Sequence, residues 1–87
     1  MSRLSVLKKQ GACVNKDPEL RAFVLTTETM SDDEAFLACP RADWLAWVAS
    51  HHPAYGSLMA SHDEDVNELR ARLSVSPTEI WKALIRS

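Results

Sequence analysis

With 87 residues, 46% of them apolar and 25% charged, the chain has the balance of one folded domain rather than a disordered tail. A chain this short buries only roughly 60–65% of the surface that its unfolded form exposes, so it supports one modest core. The formal charge of −2 excludes a general electrostatic pull toward nucleic acid or an anionic membrane and leaves only local patches for either.

Apolar residues recur at three- and four-residue spacing and β-branched runs are missing. The expected fold is therefore all-α, a single-domain bundle of about five to six short helices over residues 1–87. Ser2 to Gln10 reads as the first helix, with Leu4 and Leu7 on one face and Gly11 as its stop. Arg3, Lys8 and Lys9 interrupt its apolar residues, unlike a secretory signal, and no run approaches transmembrane length. These features point to the cytoplasm, with no membrane partner and with Cys13 and Cys39 as reduced, buried thiols.

Asp17-Pro18-Glu19 has the order of an N-cap, a proline at the first helical position and a first-turn carboxylate. Leu20, Phe23 and Val24 supply the stripe of this second helix, and Thr26, Thr27 and Thr29 bring it to an end. Ser31-Asp32-Asp33-Glu34 is a capping box, in which the serine hydroxyl accepts from the N–H of Glu34 and the Glu34 carboxylate reaches back to the N–H of Ser31. Pro40 is expected in the first turn of the next helix, which carries Trp44, Leu45, Trp47 and Val48 and ends at His51-His52-Pro53. A second capping box, Ser61 to Glu64, precedes Val66, Leu69 and Leu73. A third, Ser76-Pro77-Thr78-Glu79, precedes Ile80, Ala83 and Leu84.

The acidic runs at Asp32 to Glu34 and Asp63 to Asp65 lie in first turns, where the helix dipole favours each carboxylate by roughly 0.3–1 kcal/mol. The three histidines and two cysteines lack the short-spaced pairs of a zinc site, and glycine-rich phosphate loops and the HExxH motif are absent. An all-helical chain of this length has little room for a nucleophile, its base, an orienting group and oxyanion donors. No metal, cofactor or enzymatic activity is expected.

Residues 65–87, above all Glu68 to Leu84, resemble the helix-turn-helix of many bacterial regulators. The resemblance implies core positions at Leu69, Leu73, Val75 and Ile80 and groove-facing positions at Thr78, Glu79, Lys82 and Arg86. Arg70 or Arg72 would then sit on phosphates, in a dimer. Residues 62–87 hold five carboxylates against four cations, so this half carries no basic excess.

Gly11-Ala12-Cys13, together with Ala38-Cys39-Pro40-Arg41-Ala42-Asp43-Trp44-Leu45-Ala46-Trp47, resembles a pattern in short bacterial and phage proteins, some of which carry an immunity-protein label; the likeness spans residues 4–49. It implies a non-catalytic protein that binds and inhibits or neutralises a protein partner, as an immunity protein, antitoxin or phage-encoded inhibitor does. In that reading Asp32, Asp33, Asp63 and Asp65 steer a basic partner, and Trp44, Trp47, Tyr55 or Trp81 supplies the buried contact. DNA binding through the C-terminal pair is the alternative.

Overall fold

The computed structural model describes residues 2–87; Met1, the first residue of the expected domain, lies outside them. Six α-helices and one 3-10 turn make up the fold, with no strand among the described residues. They are α1 (Arg3–Lys9), α2 (Pro18–Thr27), α3 (Asp32–Ala38), α4 (Ala42–Ala49), the turn Pro53–Tyr55, α5 (Val66–Arg72) and α6 (Pro77–Arg86).

Local chemistry sets most of these boundaries. Ser2 caps α1 by accepting from the N–H of Ser5. At the other end Gly11 adopts φ +93°, which lets its N–H reach the Lys8 carbonyl at 3.1 Å and the Ala12 N–H reach Leu7 at 2.9 Å. That pair of bonds closes the helix end in a Schellman motif, and the backbone conformation it needs is one that favours glycine. Asp17 caps α2 through the N–H groups of Glu19 and Leu20, and Ser76 caps α6 through Glu79. Ser31 accepts from the N–H of Glu34 at 3.2 Å. The return bond differs from the expected one, because the Glu34 carboxylate accepts from the Ser31 hydroxyl rather than from its backbone.

Three further expectations are corrected. Ser61 does not start α5: Ser61 to Glu64 form a turn, and Asp65 caps the helix by accepting from the N–H of Asn67 at 2.9 Å. The apolar stripe begins only at Val66, so a helix started at Ser61 would have a first turn of polar and charged residues with nothing to bury. Pro40 lies between α3 and α4 rather than inside α4, whose first residue is Ala42. The residue before a proline is pushed out of the helical region, and Cys39 is accordingly extended (ψ 119°). Cys13, expected inside, is exposed; Cys39 is buried.

The helices surround two apolar clusters. Val6, Leu7, Val14, Val24 and Leu84 form one, joining α1 and α2 to α6. Cys39, Ala42, Leu45, Ala46 and Leu69 form the other, joining the end of α3 to α4 and α5. Helix α4 serves both, with Trp47 and Val48 against the first cluster and Trp44 beside the second. Helices α5 and α6 both pack on α4 rather than extensively on each other. The link between them is held from outside: the Tyr55 hydroxyl accepts from the N–H of Ser74 at 2.8 Å and of Val75 at 3.1 Å.

Candidate functional site

The seam between the two clusters does not close. A cleft of about 370 Å³ runs between α1 and α2 on one side and α3, α4 and α6 on the other. Its apolar walls are Leu7 of α1, Leu20, Phe23 and Val24 of α2, Phe36 of α3, Trp44, Trp47 and Val48 of α4, and Ile80 and Trp81 of α6. A sealed, empty cavity of this volume would cost roughly 9 kcal/mol at about 24 cal/mol per Å³, comparable to the whole stability of a small domain. The cleft is open to solvent, so water or a ligand fills it, and its size and lining fall within the range of binding cavities.

The aromatic walls are fixed by specific contacts. The Trp44 and Phe23 rings stack at 5.9 Å with an angle of 22° between their planes. Trp47 meets the edge of His51 at 4.6 Å, and His51 Nδ1 donates to the Trp47 carbonyl at 2.9 Å. Three tryptophans in one small chain are each half-buried, and all three line the cleft.

Two guanidinium groups also line it, each on a tryptophan face. Arg3 lies 5.7 Å from the Trp81 ring centre, donates to the Thr27 carbonyl and pairs with Asp32 at 2.9 Å, while its backbone N–H donates to Glu28. It thereby ties α1 to the end of α2 and the start of α3. Arg41 lies 4.4 Å from the Trp44 ring centre and forks onto Asp43, Nε to Oδ1 at 3.1 Å and Nη2 to Oδ2 at 2.7 Å. Its Nη1 also approaches Asp17 at 3.8 Å and Glu19 at 3.6 Å. Such cation–π contacts hold an arginine flat and contribute roughly 0.5–2 kcal/mol, more as water is excluded.

The titrations follow this arrangement. Partial burial opposes ionisation of Asp43, but the hydrogen bonds and charge of Arg41, with help from the Trp44 N–H and His62, outweigh it and hold the carboxyl below the usual carboxylate range. Burial pushes the Cys39 thiol up, against a backbone hydrogen bond from Arg41 and the charges of Arg70 and Arg41. Away from the cleft, the Ser74 hydroxyl and the N–H groups of Val75 and Ser74 hold the Tyr55 phenol below its ordinary range, against the opposing effect of burial.

Of the residues expected to meet a protein partner, Asp32, Trp44, Trp47 and Trp81 come together around the cleft. Asp32 is already paired with Arg3, whereas Asp33 beside it is exposed. Tyr55, Asp63 and Asp65 stand elsewhere; Tyr55 holds the α5–α6 link and Asp65 caps α5. Among the DNA-facing candidates, Arg72, Thr78, Lys82 and Arg86 are exposed on α5 and α6, with Lys82 within 3.7 Å of Glu79. Arg70 is engaged inward, donating to the carbonyls of Phe36 at 3.2 Å and Cys39 at 2.7 Å. The sequence reading did not single out Arg3, Phe23 or Phe36 for function, since an arginine near the N-terminus and two stripe phenylalanines carry no local signal. No group of three or more metal-ligating side chains converges among the described residues.

Comparison with protein families, curated proteins and solved structures gives no match for this chain.

Proposed function

We propose that this chain is a non-catalytic binding protein that recognises a protein partner through the aromatic cleft and inhibits or neutralises it by covering its working surface. The observation that carries this reading is the convergence of Trp44, Trp47 and Trp81 on one open cleft. Aromatic pockets that desolvate a partner's side chain dominate binding energy at protein interfaces. The likeness of residues 4–49 to short bacterial and phage proteins, some labelled immunity proteins, supports the same class. No helix among the described residues is long and apolar enough to cross a membrane, and two free thiols suit a reducing cytoplasm as the place of action.

The test is retention of a discrete partner from the source cell by the wild-type chain and its loss with Ala35→Trp, which fills the cleft from a half-buried lining position. Identical capture by both chains removes the cleft from the proposal.

A second reading, a dimeric helix-turn-helix regulator, draws on one observation. Because α5 starts at Val66, residues 66–87 hold four cations, Arg70, Arg72, Lys82 and Arg86, against two carboxylates, Glu68 and Glu79. The inward engagement of Arg70 speaks against it. If DNA binding exists, it falls steeply with salt and disappears in Lys82→Glu with Arg86→Glu.

A further inference from the structure

The charges at the cleft constrain what it accepts. Arg3 and Arg41 are the cations of its lining and Asp17, Asp32 and Asp43 its carboxylates, while Glu19 approaches Arg41 and Glu28 accepts from the Arg3 backbone N–H without lining it. The Arg3 guanidinium is spent on the Thr27 carbonyl, Asp32 and the Trp81 face; that of Arg41 is spent on Asp43, its two acidic neighbours and the Trp44 face. Neither presents an uncompensated positive charge to an incoming anion, and the lining carboxylates outnumber the lining cations by one. Glu19 keeps 78% of its side-chain surface in water and meets Arg41 only at 3.6 Å, so its carboxylate retains capacity for another cation. An acidic occupant meets net repulsion here and a basic one meets attraction.

Size adds a second constraint. At about 370 Å³ the cleft stands at the small end of binding cavities, which run to roughly 1,000 Å³. The cleft therefore takes side chains that project from an element lying across its mouth.

We infer that the occupant is a segment of the protein partner that inserts a large apolar or aromatic side chain between Trp44 and Trp81 and places lysine or arginine beside it, toward the exposed Glu19 carboxylate next to Arg41. This rests on the reading of the cleft as a protein-binding site and adds the chemistry of the partner.

Selection of displayed random short peptides on the full chain, with counter-selection on Ala35→Trp, tests it. The expected result is enrichment of peptides in which a large apolar residue has Lys or Arg within about one helical turn. Their affinity should fall about two- to fivefold in Glu19→Lys, the range of one exposed ion pair, and fall further with salt. Enriched peptides that need the open cleft but are acidic or show no basic bias overturn this inference and leave the protein-binding reading standing. Binding of a small apolar dye in the cleft, with no cleft-dependent peptide enriched, overturns both. Should Ala35→Trp lose its helical circular dichroism, Ala35→Leu serves as the counter-selection chain.

Discussion

Arg70 on α5 donates from Nη2 to the carbonyl of Cys39, 31 residues earlier, at 2.7 Å. Its Nε donates to Phe36, so one guanidinium satisfies carbonyls at the end of α3, where intrahelical partners run out. Arg70→Ala should lower stability by about 1.5–3 kcal/mol in urea unfolding, the range for charged hydrogen bonds. Arg70→Lys should recover less than half of that, because an ammonium group lacks the planar fork that spans two carbonyls.

The start of α5 gives a paired test. Asp65→Ala should cost about 0.5–2 kcal/mol through loss of the cap, and Ser61→Ala should change stability by less than about 0.5 kcal/mol. Equal losses in thermal or urea unfolding would restore Ser61 as the helix start.

At Gly11 a Cβ meets nothing within 4 Å, so substitution acts through backbone strain alone. Gly11→Ala should destabilise by about 1–2 kcal/mol despite the open space. A neutral result in urea unfolding contradicts the left-handed turn.

Asp43 titrates below its unfolded value of about 4, so its pairing with Arg41 stabilises the fold fully above that pH and is lost as pH falls through the lower, folded-state value. Stability measured from neutral pH into acid should therefore drop below about pH 4, and Asp43→Asn should flatten that limb. An unchanged acid limb in the variant places the loss on other carboxylates.

The two thiols should separate kinetically. Cys13 is exposed, whereas Cys39 is buried and its thiol is pushed up by that burial. Iodoacetamide should label Cys13 first and Cys39 only under unfolding conditions, as read by peptide mass. Equal labelling rates in the native protein contradict the buried position of Cys39.

Cap chemistry made much of the fold legible, because Asp17, Ser31 and Ser76 act on N–H groups two or three residues away and need no knowledge of tertiary packing. Ser61 failed where two caps competed four residues apart, and the onset of burial at Val66 decided between them. The cleft was beyond that kind of reading. Trp44 and Trp47 satisfy a core stripe whether they end up sealed or as walls, and Arg3 meets Asp32 only after 29 residues of chain have turned back. Periodicity tells which side chains face inward and is silent on whether the facing layers meet.

The cluster that joins Val6 and Leu7 to Leu84 also fixes when the domain can exist. On a ribosome adding about 5–20 residues per second, Leu84 follows Val6 by roughly 4–16 s. Through that interval α1 has no α6 to close on, and its apolar face is exposed to chaperones and proteases. The slower the residues between Val6 and Leu84 are added, the longer the Leu84 side of that cluster stays open.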